Sequence, residues 1–296
     1  MRYVEAGGAR VSVIGLGTWQ FGSREWGYGP AYARSEAKKI VLRALELGIN
    51  LFDTAEIYGP WRSERILGEA LTGHREQAFI ATKLFPIGLP FMTEGRARGS
   101  ARRLGVDQID LYQQHWPSPL FLPGATMRRF RRLVESGLVR HVGVSNHDLR
   151  QWRACDDALG GPVLSNQVRF SLLHREPERE LVPWAQKNDR VVIAYSPLAQ
   201  GLLSGKYRGQ PPRNFRRFSG DFINRSRWDL LLNGLREISM RHQATMSQVA
   251  LAWLIGKPNV VAIPGASSVS QLQDNVHAAD LKLNTQDLAD LDSLSA

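Results

Sequence analysis

The stretch SEAKKIVLRALELGINLFDTA, residues 35–55, determines the fold expected for this chain, because it contains a helix, a turn and a strand in that order. Ser35 is a typical helix cap, and Gly48 is a typical helix end. Between them, five apolar residues recur on one helical face: Ile40, Val41, Ala44, Leu45 and Leu47. The following run INLFDTA (49–55) has the length and the apolar content of a buried strand.

The same alternation continues along the whole chain. Seven further apolar, β-rich runs predict strands at 13–19, 78–83, 109–115, 141–146, 163–168, 190–197 and 259–265. Amphipathic stretches between them predict helices at 62–71, 127–137, 147–159, 177–189, 246–256 and 269–279. Eight strands that alternate with helices predict the α/β class and a single (β/α)₈ TIM barrel.

Three further segments complete this prediction. YVEAGGARVSV (3–13) has two alternating runs around a glycine pair and predicts a β-hairpin that caps the bottom of the barrel. TQDLADLDSL (285–294) predicts a C-terminal helix, whereas the two glycines in 92–105 count against the helix required there by the alternation. The Pro/Gly-rich loop 205–220 is interpreted as an insertion in the seventh β/α unit, so residues 1–296 are expected to form one domain.

The composition is that of a globular, non-membrane protein. Apolar residues make up 43% and charged residues 22% of the 296 residues, and no apolar run approaches the roughly 18 residues of a membrane span. The single cysteine, Cys155, has no intramolecular partner, and the N-terminus lacks the apolar run of a signal peptide. We therefore expect a cytoplasmic protein without membrane contact, as a monomer or a weak homo-oligomer.

The net charge of +10 raises the question of a nucleic-acid partner. The cluster from Arg128 to Arg132 is interpreted as the solvated face of a helix, because apolar residues recur beside it at helical spacing. A second cluster, Arg213, Arg216 and Arg217, lies in a loop and is a candidate cover for a phosphate group. Since no nucleic-acid-binding motif interrupts the barrel pattern, we expect no nucleic-acid partner.

Polar residues follow three successive predicted strands. Asp53 and Tyr58 follow the second strand, Lys83 ends the third and His115 ends the fourth. In a (β/α)₈ barrel the carboxyl ends of the strands open into one mouth, where active sites lie. An ammonium lowers the pKa of a nearby phenol, an aspartate holds that ammonium, and an imidazole binds a carbonyl oxygen. The set predicts carbonyl reduction, although each residue taken singly has an ordinary structural explanation.

Seven segments along the chain carry a resemblance to a known family. FDTAEIYG, ATK, DLYQQHWP, GVSN, SNQ, AYSPLAQG and AIPGASS occur in order and resemble the aldo-keto reductase superfamily. The resemblance implies an NAD(P)H-dependent oxidoreductase that reduces aldehydes or ketones to alcohols. It makes Tyr58 the general acid, makes Asp53 and Lys83 its tuning pair, and makes His115 the residue that orients the small-molecule carbonyl substrate.

The resemblance also implies a nicotinamide cofactor site. Ser145, Asn146 and Gln167 would bind the carboxamide of the nicotinamide, and Tyr195 would stack on its ring. The segment from Ser196 to Lys206 would hold the diphosphate, and the start of the helix after the eighth strand would hold the adenosine end. The further candidate cofactor residues are Thr18, Trp19, Ser196, Leu198, Gly201, Lys206, Gly265, Ser267, Gln271, Asp274 and Asn275.

The chain departs from many relatives at the expected 2′-phosphate position. Ser267, Ser268 and Gln271 stand where those relatives carry arginine or lysine. Lys206 or an arginine of the 213–217 loop is the candidate replacement, so NADPH is the expected cofactor and NADH stays an alternative. No metal is expected, because the seven histidines lack metal-binding spacing.

Four tryptophans and the single cysteine have separate interpretations. Trp19, Trp26, Trp61 and Trp116 lie near strand ends and are candidates for an apolar substrate pocket or for packing. Cys155 is interpreted as structural.

The resemblance leaves one alternative function, a cofactor-sensing regulatory subunit of the voltage-gated potassium channel β-subunit type. In those relatives the histidine position is altered, so His115 favours the enzyme.

Overall fold

The computed structural model describes residues 1–21, 30–87, 89–207, 220–223 and 228–296, and for residues 30–34, 220 and 223 it describes the backbone alone. Trp26 and the arginines at 213, 216 and 217 therefore lie outside the described residues. The chain begins with an antiparallel hairpin and continues into eight parallel strands. The strands are β1 (Tyr3–Ala6), β2 (Ala9–Ser12), β3 (Leu16–Gly17), β4 (Leu51–Asp53), β5 (Phe79–Leu84), β6 (Ile109–Gln114), β7 (Val139–Ser145), β8 (Val163–Arg169), β9 (Val191–Tyr195) and β10 (Val260–Ala262).

The eight parallel strands form a closed barrel. Strands β3 to β10 pair in chain order, and parallel bridges from Ile14 to Ala262 and from Gly17 to Gly265 join the last strand to the first. This ring and its helices confirm the predicted (β/α)₈ TIM barrel. The helices are α1 (Pro30–Glu46), α2 (Arg62–Ala70), α3 (Thr93–Leu104), α4 (Pro123–Glu135), α5 (Leu149–Leu159), α6 (Leu181–Lys187), α7 (Gly220–Ile223), α8 (Asp229–Arg241), α9 (Met246–Ile255), α10 (Val269–His277) and α11 (Thr285–Leu294).

The structure differs from the sequence prediction at helices α1 and α8. Helix α1 begins at Pro30, so Ser35 lies within the helix and does not cap it. Helix α3 forms despite Gly95 and Gly99, because Ala97, Ala101 and Leu104 are buried on its inner face. Tertiary packing of an apolar face outweighs a loss of about 1 kcal/mol of helix propensity per glycine. Helix α8 was not predicted, although Leu231, Leu235 and Ile238 of this helix are buried at helical spacing. Helix α11 and the hairpin agree with the prediction.

Two apolar cores stabilise the barrel. The larger core fills the space between the strands and the surrounding helices. The smaller core fills the lower part of the barrel and includes Leu51, Leu111 and Val261. Ala6 and Val11 of the hairpin belong to this smaller core, so the hairpin closes the bottom as predicted. The opposite end, where the strands have their carboxyl ends, is left for polar residues.

A β-bulge in β8 decides which of its polar residues faces the barrel interior. The pairing with β7 passes from Val142–Val163 to Gly143–Ser165, which leaves Leu164 as an extra residue. Leu164 packs in the inner core, so without the bulge Asn166 would be the next inward residue. The extra residue instead turns Gln167 inward, where its amide reaches Asp53.

Gly143 is required by the close packing around this bulge. A Cβ atom at this position would lie 2.5 Å from Ser165 Oγ and 2.9 Å from Gln113 Cγ. We expect Gly143→Ala to lower the free energy of unfolding by about 1–3 kcal/mol, as overpacking does elsewhere. The measurement is urea denaturation, with Gly161→Ala as the control because a Cβ there meets no atom within 4 Å. Equal midpoints for the two variants would contradict this explanation.

Candidate active site

Lys83 is the centre of the polar cluster at the barrel mouth. It is the penultimate residue of β5, is fully buried, and donates from Nζ to Asp53 Oδ1 at 2.6 Å and to Asp53 Oδ2 at 2.8 Å. The same ammonium donates to the Thr54 carbonyl oxygen at 2.8 Å and to Tyr58 Oη at 3.3 Å. Register explains the pairing, because Asp53 lies beside Ala81 on the neighbouring strand, two residues before Lys83 on the same face.

The turn that carries Tyr58 is fixed by hydrogen bonds beneath it. Ser63 Oγ donates to the Thr18 carbonyl oxygen at 2.8 Å and also accepts from Thr54 Oγ1 at 2.9 Å. Thr18 Oγ1 donates to the Asp53 carbonyl oxygen at 2.8 Å. Thr18 is fully buried in these contacts, so its side chain supports the site from below. Trp19 lies above, with its ring centroid 6.2 Å from that of Tyr58.

The expected lowering of the Tyr58 pKa is wrong for the structure as described. Burial raises the pKa of Tyr58 well above its ordinary value, and the negative charge of Asp53 raises it further. The negative charge of Asp53 also compensates the positive charge of Lys83, since two short hydrogen bonds join the two groups. Tyr58 is therefore a neutral phenol that can donate a proton, with an ammonium positioned to stabilise the resulting phenolate.

His115 faces Tyr58 across the mouth and is neutral. Its ring meets the Tyr58 ring edge-on with centroids 5.8 Å apart, and it stacks on Trp116 at 4.0 Å. Burial, assisted by the positive charge of Lys83, lowers the pKa of His115 to about 2. Among the described residues, the buried Nδ1 atom has no hydrogen-bond partner. A neutral imidazole carries one N–H and so provides one donor for a ligand oxygen.

The depressed pKa values of His115 and His147 predict a loss of stability at acidic pH. Burial lowers the pKa of His147 to about 4, and its Nδ1 is 2.8 Å from the Ser145 carbonyl oxygen. The unfolded chain binds a proton at each histidine below about pH 6.5, whereas the folded state does not. Each histidine therefore lowers the free energy of unfolding by about 1.4 kcal/mol per pH unit below that value.

Urea denaturation at pH 7.5 and pH 5.5 measures this effect. The loss of stability caused by His147 ends near pH 4, and the loss caused by His115 ends near pH 2, because these are their pKa values in the folded state. The control variant is His147→Asn, in which the decline between the two pH values should be smaller by about 1.4 kcal/mol. An unchanged decline in this variant would exclude His147 as a source of the effect.

A chain of hydrogen bonds links Asp53 to the next strands. Gln167 Nε2 donates to Asp53 Oδ2 at 2.7 Å, and Ser145 Oγ donates to the Gln167 carbonyl oxygen at 2.8 Å. Asn146 Nδ2 donates to the His115 carbonyl oxygen at 3.1 Å. Tyr195 Oη donates to Asn146 Oδ1 at 2.9 Å. The four residues expected at the nicotinamide, Ser145, Asn146, Gln167 and Tyr195, are thus brought together beside the cluster of Asp53, Tyr58, Lys83 and His115.

The segment after β9 has an unusual backbone. Ser196, Ala199, Gln200 and Gly201 all have positive φ angles, between 47° and 99°. Non-glycine residues rarely adopt this conformation, and a change between right- and left-handed residues turns successive N–H groups toward one point. Leu198 lies within this segment, and Lys206 follows it with its side chain exposed. The Ala199 and Gly201 amides donate to the Ser196 and Leu198 carbonyl oxygens, both at 2.9 Å, so these two N–H groups are satisfied within the segment.

The start of α10 contains the remaining candidates. Gln271 Oε1 accepts from the Ser267 amide at 2.9 Å, and Ser268 Oγ accepts from the Gln271 amide at 3.2 Å. Asn275 is buried near Gly265. At Gly265 a side chain would collide with Gln20. Asp274 differs from the others, because its carboxylate accepts from Thr245 Oγ1 at 3.1 Å and Gln248 Nε2 at 2.8 Å. The side chain of Asp274 is therefore engaged with the start of α9.

Comparison with known proteins decides the family. The model of the Aldo/keto reductase family matches residues 13–296. The chain belongs to this family. An uncharacterized oxidoreductase of Mycobacterium tuberculosis is 53% identical over 291 residues, which cover 97% of this chain and 90% of the relative. The methylglyoxal reductase of Escherichia coli is 34% identical, covering 97% and 92%.

Solved structures agree with this assignment. The crystal structure of an aldo-keto reductase from Klebsiella pneumoniae in complex with NADPH has a TM-score of 0.82 and 29% identity to this chain. The match covers 100% of this chain and 96% of the other. This protein therefore has the aldo-keto reductase barrel and belongs to a family of oxidoreductases.

Several buried polar groups near the site of this aldo-keto reductase were missed by sequence reasoning. Glu64 is fully buried, accepts from Thr82 Oγ1 at 2.7 Å and pairs with Arg103. Glu56 accepts from the Phe85 amide at 2.7 Å and pairs with Arg96. For Glu64 the sequence carried a signal, because this carboxylate shares the helical spacing i, i+3, i+7 with the apolar residues Leu67 and Leu71.

Two observations complete the account of the site. In the parts of the chain that the structure describes, no three His, Cys, Asp or Glu side chains are grouped so as to hold a metal ion. Cys155 is buried, and burial raises the pKa of its thiol to about 12. Such a thiol is unreactive at neutral pH, which agrees with a structural role.

The described α-helices have between 4 and 17 residues. None of them combines the length and the apolar character needed for a membrane span.

Proposed function

We propose that this aldo-keto reductase uses NADPH to reduce aldehydes or ketones to alcohols, with Tyr58 as the general acid. The observation that carries the proposal is the geometry at Lys83. A single buried ammonium contacts both oxygens of Asp53 and lies 3.3 Å from the Tyr58 hydroxyl. The ring of neutral His115 meets the Tyr58 ring edge-on, with the centroids 5.8 Å apart. We further propose that residues 1–296 act as one domain.

The residues present fit a nicotinamide cofactor. The barrel mouth contains the polar row Ser145, Asn146 and Gln167, and the ring of Tyr195 is only partly buried beside it. The positive-φ segment from Ser196 to Gly201 directly follows β9, which carries Tyr195, and is the expected position of the diphosphate. We propose that these residues hold the cofactor, with Gly265, Ser267, Gln271 and Asn275 at its adenosine end. When bound, the cofactor supplies a hydride to the carbonyl carbon.

The residues of this chain perform the remaining tasks of the reaction. Tyr58 Oη donates a hydrogen bond to the substrate oxygen and transfers its proton as negative charge develops there. The His115 imidazole donates a second hydrogen bond to the same oxygen, which aligns the carbonyl. The Lys83 ammonium, 3.3 Å away, stabilises the phenolate that Tyr58 becomes. Asp53 holds Lys83 in place, and Gln167 holds Asp53.

NADPH is proposed over NADH on two grounds. The relative from Klebsiella pneumoniae was solved with NADPH. In this chain Lys206 follows the positive-φ segment from Ser196 to Gly201 and has an exposed side chain. The start of α10 offers only the neutral side chains of Ser267, Ser268 and Gln271. Among the described residues, we therefore assign Lys206 to the 2′-phosphate. The choice is tested by comparing dissociation constants for NADPH and NADH by quenching of tryptophan fluorescence.

The function itself is tested by the decrease of NADPH absorbance with a panel of aromatic and aliphatic aldehydes, methylglyoxal included. We expect turnover with several of them and formation of the corresponding alcohols. Tight NADPH binding without turnover of any carbonyl would overturn the proposal and would favour the regulatory alternative. Absence of nucleotide binding would overturn both.

A further inference from the structure

A cavity of about 420 Å³ lies between the turn that carries Tyr58 and helix α3. Ile57, Trp61 and Phe85 form its apolar wall, and Gly95 and Gly99 line it from α3. The volume lies within the range of small-molecule sites in proteins. The roles proposed above for the cofactor and the carbonyl group do not use this cavity.

Phe85 connects the cavity to the reaction site. Its ring meets the His115 ring edge-on at a centroid distance of 6.0 Å and the Trp116 ring at 5.5 Å. The same side chain lines the cavity. Phe85 therefore borders both the cavity and the imidazole that is proposed to bind the substrate carbonyl.

The glycines of α3 leave this volume unfilled. Gly95 and Gly99 are four residues apart and so lie on one face of the helix. A Cβ atom at Gly95 would meet no atom within 4 Å, so a larger residue would fit there and reduce the cavity. Glycine instead costs about 1 kcal/mol of helix propensity. This cost is explained if the volume beside the helix is used.

The walls of the cavity favour an uncharged, flat ligand. Arg96 is paired with Glu56, and Arg103 is paired with Glu64, so the two guanidinium groups bring no net charge. Trp61 is 53% exposed, so part of this side chain is available to a ligand in the cavity. Aromatic rings and paired guanidinium planes both stack on planar groups. A second aromatic ring meets these surfaces better than a charged or a branched group.

We propose that this cavity binds the distal ring of a neutral aromatic carbonyl substrate with two rings. The inference rests on the proposed function, since it assigns the substrate class of that same site. The probes are benzaldehyde, 3-phenylbenzaldehyde and 4-phenylbenzaldehyde, whose second rings point in two directions. We expect at least one phenyl-substituted aldehyde to exceed benzaldehyde in kcat/KM by about tenfold, mainly through a lower KM.

The decisive variant is Gly95→Leu, which places an apolar side chain in the cavity. It should remove the tenfold advantage of the two-ring aldehyde and leave kcat/KM for benzaldehyde unchanged. Arg98→Leu is the matched control, because Arg98 is exposed on the same helix and does not line the cavity. Gly95→Leu should unfold at an equal or higher urea concentration, because leucine is the better helix former.

The outcomes separate this inference from the proposed function. Benzaldehyde turnover with no preference for a two-ring aldehyde would overturn the inference and leave the reductase function intact. Equal losses for all three aldehydes in Gly95→Leu, or equal effects of Gly95→Leu and Arg98→Leu, would also overturn it. If none of the three aldehydes is reduced, the proposed function fails and the substrate class fails with it.

Discussion

Tyr58→Phe is expected to lower kcat for aldehyde reduction by about 10²- to 10⁴-fold, the contribution of a positioned general acid. The substitution removes one hydroxyl group and keeps the ring that packs beside Trp19 and His115. The dissociation constant for NADPH should stay the same, because Tyr58 is not among the residues proposed to hold the cofactor. Steady-state kinetics and fluorescence titration measure the two quantities separately.

Tyr112→Phe is the matched control for this variant. Tyr112 is fully buried, and among the described residues its hydroxyl has no hydrogen-bond partner. Its ring packs against Phe130 on the outer side of the barrel wall, away from the mouth. Removal of this hydroxyl should leave kcat unchanged and should not lower stability. Comparable kcat values for Tyr58→Phe and the parent protein would refute the assignment of Tyr58 as the acid.

Tyr58 and the three residues at strand ends could be predicted as a cluster because the ends of strands can be recognised in a sequence. Asp53, Lys83 and His115 each follow an apolar run, and parallel strands place such positions at the same end of a barrel. The hydrogen-bond pairing of β4, β5 and β6 then brings their side chains to one mouth. Residue order and strand direction were sufficient, and no side-chain detail was needed.

Other features depend on information that a linear pattern does not carry. The inward direction of Gln167 results from a one-residue bulge at Leu164, and a strict alternation would have chosen Asn166. The direction of the Tyr58 pKa depends on burial, which outweighs the nearby ammonium. The sequence supplied the members of the cluster but not the degree to which each is removed from water.

The cavity beside α3 shows the same limit in another form. The sequence revealed Gly95 and Gly99 as residues that weaken a helix. It did not reveal that Trp61 and Phe85, from two other β/α loops, face the same space. Long-range packing decides whether a glycine only weakens its helix or also leaves space beside the helix.

Lys83→Met is expected to lower the free energy of unfolding by about 3–5 kcal/mol, the usual cost of removing one partner from a buried ion pair. Methionine fills a similar volume but leaves the carboxylate of Asp53 without its ammonium, in a position that is almost completely buried. Gln167 still donates to Asp53 Oδ2, but a neutral amide cannot replace a charge. Activity should fall by a similar factor as in Tyr58→Phe, because the phenolate is no longer stabilised.

The double variant Lys83→Met with Asp53→Asn separates the structural role of the ion pair from its chemical role. Asparagine removes the unpaired charge and can still accept from Gln167, so the double variant should be more stable than Lys83→Met alone. Its activity should stay as low as that of the single variant, because no ammonium lies beside Tyr58. Urea denaturation and kinetics on the same preparations test both statements. Recovery of activity together with stability would mean that Lys83 acts on the reaction only by holding the fold, and the proposed chemistry at Tyr58 would then be wrong.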